Sequence, residues 1–219
     1  MYKRQVLRLA SGGYIGGGLY HSQNIEGALA TLPGARIVCP SFADDAAGLL
    51  RTAMRSRGFT LYLEPKALYN SVEASSVVPE EFEVPFGKAR IRREGTDLSM
   101  ITYGNTTHFC LNVAERLAQE GWSVEVIDLR SLIPLDKETI YASVKKTSKA
   151  LVVHEDKVFS GFGAEIAAGI GTELFRYLDA PVQRVGSVFT PVGFHPILEK
   201  AILPTEDKIY DAARTLLEY

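Results

Sequence analysis

The sequence predicts an α/β protein with mainly parallel sheets that are covered on both faces by helices. Apolar segments suited to strands, such as residues 98–102 and 150–153, alternate with longer segments in which apolar residues recur at helical spacing. The strand segments are almost continuously apolar, as in parallel sheets that are buried on both faces. Of the 219 residues, 46% are hydrophobic and 23% are charged, a composition typical of globular domains.

The first 65 residues contain three predicted strands and two predicted helices. A glycine-rich loop at residues 12–18 follows the first strand, and Asn24 and Ser41 are the expected N-caps of the helices. The strands are expected at residues 5–10, 36–39 and 61–63. A segment of this length buries only about 60% of its unfolded surface. We therefore expect residues 1–65 to be the back part of a larger domain, with an unprotected sheet edge.

Residues 66–94 are predicted to be a linker, because apolar periodicity is lost and two prolines and an acidic pair occur there. Residues 95–219 then predict a complete five-stranded, mostly parallel sheet with its own helices. Four of the five strands are placed, at residues 98–102, 124–129, 150–153 and 182–185, and helices at 107–120, from Asp136 onward, at 163–178 and at 206–217.

Composition limits the classes of function. The formal net charge is −2, so no basic surface indicates nucleic-acid binding. No apolar stretch approaches the roughly 20 residues of a membrane span, and Arg8 interrupts the N-terminal apolar run that a signal peptide would need. Cys39 and Cys110 lie far apart and in no metal-ligand spacing, which favours a reducing compartment. We expect a soluble, cytoplasmic protein.

The stretch from Gly16 to Gln23 is the strongest candidate site. Three consecutive glycines precede Tyr20, His21, Ser22 and Gln23, so a flexible loop delivers an imidazole among hydrogen-bonding groups. Histidine exchanges protons near neutral pH, so proton transfer is one interpretation. A loop histidine that bonds only to backbone is the alternative, and helix capping alone explains a serine at this position.

Several stretches in collinear order carry a family resemblance across nearly the whole chain. They include residues 17–23, 32–34, 63–66 with Tyr69, 101–104, 124–130, 134–136, 153–155, 161–166 and 179–182. Together they resemble the β-subunit of the thiamine-diphosphate-dependent decarboxylating component of 2-oxo acid dehydrogenase complexes, of the branched-chain type. The Glu64-Pro65-Lys66 sequence with Tyr69 favours the branched-chain enzymes over those that use pyruvate.

The resemblance implies an assignment of domains and function. Residues 1–65 correspond to the back part of a transketolase-like pyrimidine-binding domain, and residues 95–219 to a transketolase-type C-terminal domain. The implied parent reaction is oxidative decarboxylation of a branched-chain 2-oxo acid, such as 2-oxoisovalerate, with acyl transfer to lipoamide. The C-terminal domain then serves dimerisation and acyltransferase docking. The alternatives are a pyruvate or acetoin dehydrogenase β-subunit, or a non-catalytic assembly module.

The resemblance also implies the site residues and partners. His21 is the catalytic residue, and Tyr20, Ser22 and Gln23 line the substrate pocket or support it. The implied cofactors are thiamine diphosphate and magnesium, with the activating glutamate and the pyrophosphate site outside this chain, so we expect no cofactor and no metal here and an inactive isolated chain. The implied partners are an α-subunit or fused α-half, a second β copy, and the subunit-binding domain of the acyltransferase.

Other motifs depart from known patterns. Asn70 replaces the arginine that commonly follows Tyr69 in the family, and the run Arg55-Ser56-Arg57 is cationic where family members often bind potassium, so we expect no potassium there. The glycines at 161 and 163 lack the third small residue of a dinucleotide fingerprint. His154 and Glu155 lack a second histidine at zinc spacing, and His108 and His195 are expected to be ordinary surface or turn residues.

Overall fold

The computed structural model describes residues 4–219, whose strands form two sheets. The first sheet has the order β1 (Arg4–Ser11), β3 (Gly58–Pro65), β2 (Ala35–Val38) and β7 (Ser131–Ile133). The second has the order β4 (Arg90–Arg93), β6 (Val124–Asp128), β5 (Leu98–Thr102), β8 (Ala150–Lys157) and β9 (Gln183–Ser187). Within the sheets only the pairs β2–β7 and β4–β6 are antiparallel. The predicted fold class is confirmed.

Helices connect most of the strands. They are α1 (Gly18–His21), α2 (Glu26–Leu29), α3 (Ala43–Arg55), α4 (Thr106–Gln119), α5 (Lys137–Thr147), α6 (Gly163–Glu173), α7 (Pro196–Ile202) and α8 (Glu206–Leu217), with short 3-10 turns at Lys66–Leu68 and Phe175–Tyr177. Two of them, α1 and α7, were not predicted. None of the helices within residues 4–219 is long and apolar enough to cross a bilayer.

One apolar core joins the two sheets. Ile37 and Leu61 of the first sheet belong to the same buried cluster as Ile101 and Ile127 of the second. A second cluster lies beneath α4 and α8, around Leu117. The two sheets therefore share a continuous interior and cannot separate without exposing it to water.

The connection between the sheets also includes a shared strand. β7 follows β6 of the second sheet in sequence but pairs with β2 of the first, with Ile37 opposite Ile133. β2 thus lies between two strands, whereas β1 pairs only with β3 among the strands of residues 4–219. The first sheet therefore ends at β7, which is mostly buried, and at β1, most of whose residues are exposed.

The region predicted to be a linker is ordered and contacts both the residues before it (4–65) and those after it (95–219). β4 lies within residues 66–94 and pairs with β6, and Thr52 of α3 donates a hydrogen bond of 2.8 Å to the carbonyl of Val84. Phe82 and Val84 pack beside the apolar face of α3. The predicted boundaries 1–65, 66–94 and 95–219 remain predictions.

Three local predictions were wrong. Asn24 does not cap α2, which begins after Ile25; the Asn24 amide donates to the Glu26 side chain instead. Ser41 does not cap α3, because its hydroxyl bonds to Thr107 and Asp128, and Phe42 takes the N-cap position. The helix expected at residues 163–178 ends at Glu173 and gives way to a 3-10 turn.

Candidate functional site

The loop between β1 and α1, residues 12–17, contains three residues with positive φ, two of them glycines. The φ angle is +87° at Gly12, +62° at Tyr14 and +62° at Gly16. A Cβ at Gly12 would lie 2.6 Å from a carboxylate oxygen of Glu155. The Gly12 amide donates to the carbonyl of Gln23 over 3.1 Å and closes the loop at its base. Glycine is required here by both conformation and close approach.

The sequence suggested that His21 lies in the loop. The structure instead makes it the last residue of the one-turn helix α1. The difference arises because Gly18, at φ +59°, turns the chain and the Ser22 amide then bonds to the Gly18 carbonyl over 3.2 Å. His21 is exposed, and the Tyr20 side chain is 90% exposed. Both point outward from the protein.

Ser22 and Gln23 lie beneath these two side chains. Ser22 is fully buried, and its hydroxyl has no hydrogen-bond partner within residues 4–219. The Gln23 side-chain amide donates to the carbonyl of Leu19 over 3.3 Å, and its oxygen accepts from Lys157 Nζ over 3.2 Å. These two residues support α1 from below, while the predicted pocket residue Tyr20 lies open to solvent.

The surface around α1 is apolar. Ile15 and Leu19 are exposed, and Phe194, which is 74% exposed, lies close to the Cβ positions of Gly16 and Gly18. Exposed apolar patches of several hundred Å² on a protein surface are typical of interaction sites. We call this surface, formed by Ile15, Leu19, Tyr20 and Phe194, the α1 patch.

Two glutamates from distant segments bind the loop. Glu155 of β8 accepts a hydrogen bond from the Gly13 amide, and Glu199 of α7 accepts from the amides of Ile15 and Gly16 over 3.2 and 3.3 Å. Burial raises the pKa of Glu155 to about 7, against the opposing effects of the Gly13 amide and two nearby lysines.

A further buried carboxyl lies behind the loop. Glu26 of α2 is 1% exposed and accepts from the hydroxyl of Tyr103 over 3.1 Å. Burial, followed by repulsion from Asp156, raises the pKa of Glu26 to about 8. Asp156 in turn accepts from the amides of Gly27 and Phe162. Although acidic groups cluster here, residues 4–219 hold no set of three or more histidine, cysteine or carboxylate ligands suited to a metal.

The remaining histidines play other parts. His154 is buried within β8 between Gly163 and Gly186, and burial lowers its pKa to about 4. His108, which we expected at the surface or in a turn, is buried and bonds to the carbonyl of Ser41 over 2.8 Å. His195 is exposed and caps α7. His21 is thus the only histidine within residues 4–219 that α1 presents to solvent beside the glycine loop.

The strand exit at Glu64 contains the ion pair that the sequence allowed. Glu64 pairs with Arg8 and accepts from the hydroxyl of Tyr69 over 2.8 Å. Arg8 and Tyr69 are among the residues that line a mainly apolar cavity of about 440 Å³ beside α3. None of the residues that line this cavity belongs to the glycine loop or α1, so it is separate from the His21 site.

Sequence reasoning missed a buried ion network that joins the two parts. Asp45 of α3 pairs with Arg92 of β4 and with Arg130, which holds φ +58° after β6. Arg92 also pairs with Asp128 over 2.7 Å. Single charges within amphipathic or apolar segments gave no signal, because each appears in the sequence as an ordinary surface charge.

The turn at residues 161–163 does not offer a free anion-binding site. The turn at residues 161–163 resembles a phosphate-binding turn, but its Phe162 amide already donates to Asp156, and a Cβ at Gly161 would lie 2.0 Å from the carbonyl of Lys157. At the position where potassium was considered, Arg55 pairs with Glu81 and Glu83.

Comparisons with known proteins agree across nearly the whole chain. The family described as "Transketolase, C-terminal domain" matches residues 87–209, and "Transketolase, pyrimidine binding domain" matches residues 3–72. The β subunit of 2-oxoisovalerate dehydrogenase from Bacillus subtilis (strain 168) is 40% identical over 215 residues, which cover 98% of this chain and 65% of that protein.

Relatives named for pyruvate are equally similar. The mitochondrial pyruvate dehydrogenase E1 component subunit beta-1 of Arabidopsis thaliana is 40% identical over 95% of this chain and 58% of its own length. A solved structure described as a split gene transketolase, inactive beta4 tetramer, superimposes with a TM-score of 0.75 at 23% identity, over 97% of this chain and 66% of that one. The chain therefore spans 58–65% of the length of these two curated relatives.

Proposed function

Since the chain belongs to the family of the transketolase C-terminal domain, we propose that it supplies part of the β-subunit of a 2-oxo acid dehydrogenase. The proposed reaction of the whole enzyme is oxidative decarboxylation of a 2-oxo acid and transfer of the acyl group to lipoamide, within a multienzyme complex. The observation that carries this proposal is His21, which α1 presents to solvent. The loop before α1 is held in place because three of its backbone amides donate hydrogen bonds to buried glutamates.

His21 is proposed to act in two ways. Its imidazole binds the carboxylate of the 2-oxo acid, and it donates or accepts a proton when the acyl group passes to the lipoyl sulfur. Tyr20 beside it lines the substrate pocket once a partner covers the site, and Ser22 and Gln23 hold α1 in place. Proton delivery needs a positioned group, and the fixed base of α1 supplies that position.

The cofactor is proposed to bind elsewhere in the assembled enzyme. Enzymes of the proposed class use thiamine diphosphate with magnesium, but the amides and carboxylates described here bind one another. We propose that an α-subunit or fused α-half, together with the part of the β-subunit beyond the matched region, provides that site. The isolated chain is then inactive.

The proposed substrate is a branched-chain 2-oxo acid, which places the enzyme in the breakdown of branched-chain amino acids. Support comes from the Glu64–Tyr69 hydrogen bond at the strand exit, which joins two residues of the motif typical of branched-chain enzymes. Pyruvate is the competing substrate, because relatives of both kinds are 40% identical. Turnover of 2-oxoisovalerate and pyruvate by the assembled enzyme, compared as kcat/KM, decides between them.

A second copy of this chain is proposed to cover the α1 patch. Four apolar side chains around a polar site form a surface that is costly to leave in water. Phe194→Glu should lower the dimer population in sedimentation experiments. Phe175→Glu should not, because it alters an equally exposed phenylalanine in a cavity that no residue of the α1 patch lines. We also propose that the C-terminal domain docks the subunit-binding domain of the acyltransferase. A cytoplasmic location is proposed as well, and it is supported by Cys39 and Cys110, which are both free thiols.

The central experiment replaces His21 in the assembled, full-length enzyme. His21→Ala removes a positioned proton donor, so acyl transfer to lipoamide should fall by roughly 10²-fold or more. Cofactor binding should remain unchanged. His195→Asn is the matched control, because it removes an exposed histidine near α7 and keeps an N-cap side chain. Normal acyl transfer by His21→Ala would leave the chain as a non-catalytic assembly module.

A further inference from the structure

The glycine loop is bound from outside by two carboxylates. Its own closure uses a single backbone bond, from the Gly12 amide to the Gln23 carbonyl. The other three bonded amides, those of Gly13, Ile15 and Gly16, donate to Glu155 and Glu199, which lie 142 and 183–184 residues away in sequence. The loop that leads to His21 is therefore shaped by the second part of the chain.

The arrangement resembles an anion-binding nest that is filled from within the protein. Successive amides converge on a negative charge where the backbone alternates between left- and right-handed conformations. Here Gly12, Tyr14 and Gly16 have positive φ, and the amides face carboxylates of the same chain. Tyr14 adds a hydrogen bond of 2.8 Å to the carbonyl of Pro204, just beyond α7. A loop held at this many points has few alternative conformations.

The charges around Glu155 act on it in opposite directions. Lys66 and Lys157 attract Glu155, whereas Glu199 repels it. Each carboxylate is nearly buried, so loss of its amide partners would leave an unsatisfied polar group. The glutamates and the loop consequently depend on one another.

We propose that Glu155 and Glu199 are positioning residues that fix residues 12–17 and thereby set the orientation of α1 and His21. Neither glutamate is proposed to touch substrate. The inference rests on the proposed function for its chemical consequence, but fixation of the loop can be measured in the chain itself.

The first test is amide hydrogen exchange and imidazole NMR on the 219-residue chain. Glu199→Ala should accelerate exchange at Ile15 and Gly16 by about 10-fold or more, since the amides lose a charged acceptor. Glu199→Gln keeps an acceptor oxygen and should restore most of the protection. Glu155→Ala and Glu155→Gln should do the same at Gly13. The His21 ring signals should shift in the two alanine variants.

Glu125→Gln is the matched control for the loss of a buried carboxylate. Glu125 is buried, accepts from the Gly95 amide over 3.3 Å and pairs with Lys146, far in sequence from the loop. The Glu125→Gln variant should leave the exchange rates of the loop amides and the His21 signals unchanged. If exchange at Gly13, Ile15 and Gly16 and the His21 signals stay as in the wild type in both alanine variants, the proposal is overturned.

The second test is a double-mutant cycle in the assembled enzyme. Glu199→Ala should lower kcat for acyl transfer about 10-fold in the wild-type background and cause no further loss in a His21→Ala background, because it acts through His21. An equal loss in both backgrounds would overturn the positioning role. If His21→Ala itself is fully active, the proposed function fails, whereas faster loop exchange in Glu199→Ala would still establish fixation of the loop.

Discussion

Tyr103, which follows β5, donates a hydrogen bond of 3.1 Å to Glu26, the first residue of α2. Both side chains are almost completely buried, and the bond joins the second sheet to the first part of the chain. Burial and the nearby Asp156 raise the pKa of Glu26 to about 8, so this carboxyl is largely protonated at neutral pH. A protonated carboxyl inside the protein makes folding stability depend on pH.

We predict that the free energy of unfolding decreases as the pH rises from about 6.5 to 8.5. Glu26 and Glu155 have folded-state pKa values of about 8 and about 7, above the ordinary value of 4.5. The folded state thus binds more protons in this range, and their stabilising effect is complete only below the unfolded pKa. His154, with a folded pKa of about 4, has the opposite sign but acts below pH 6.5. Urea unfolding at several pH values measures the slope.

The free energy of unfolding should fall by up to about 1.4 kcal/mol per pH unit for each carboxyl that stays protonated in the folded state. Glu26→Gln, which is neutral at every pH, should remove its share of the decrease. Glu125→Gln is the control, because the pKa of Glu125 is lowered and its titration lies outside this range. A constant free energy of unfolding across the window in the wild type would contradict the assignment.

A second prediction concerns the buried ion network between α3 and the second sheet. Asp45 is fully buried and pairs with Arg92 and Arg130, so Asp45→Ala leaves two nearly buried guanidinium groups without this partner. We expect a loss of about 3–5 kcal/mol in the free energy of unfolding. Asp44→Ala removes the neighbouring carboxylate, whose partner Arg90 is half exposed, and should cost only about 1 kcal/mol. If Asp45→Ala also lowered the free energy of unfolding by only about 1 kcal/mol, the network would contribute little to stability.

The parts of the fold that sequence could predict are those encoded by neighbouring residues. Apolar strands such as β5 and β6, and the glycine loop before α1, depend on local pattern and on the conformational freedom of glycine. β8 extends four residues beyond its predicted end, because His154 to Asp156 are buried despite their polarity. Hydrophobicity alone cannot reveal a polar residue that folding will bury.

The site was only half predictable for the same reason. His21 and its neighbours stand out as a local motif, but the glutamates that bind the loop come from β8 and from α7, a short helix that periodicity did not reveal. A contact between residues separated by more than 140 positions leaves no local trace in one sequence. The shared strand β7, three residues long, escaped prediction because so short an apolar segment has no measurable period.

A third prediction concerns local stability in the first sheet. β2 lies between β3 and β7, and Val38 is fully buried, so its amide should exchange only on global unfolding, as should that of Val152 in β8. β1 bonds to β3 alone, and most of its residues are exposed. Alternate amides of β1 should therefore exchange orders of magnitude faster. Hydrogen exchange followed by NMR measures this, and uniform protection of β1 in a proven monomer would contradict it.

The last prediction is that the 219-residue chain does not bind thiamine diphosphate measurably by itself. Pyrophosphate binding needs free backbone amides and a magnesium site, yet the amides of Gly27 and Phe162 donate to Asp156, and those of Gly13, Ile15 and Gly16 donate to glutamates. Within residues 4–219 no group of three or more histidine, cysteine or carboxylate side chains is arranged so that it could hold a metal ion. Calorimetric titration of the chain with thiamine diphosphate and Mg²⁺ should give no saturable heat, whereas the assembled enzyme, titrated in parallel, should bind. A dissociation constant in the micromolar range for the chain alone would place a cofactor site within it, and would require the carboxylates that now accept these amide bonds to move aside.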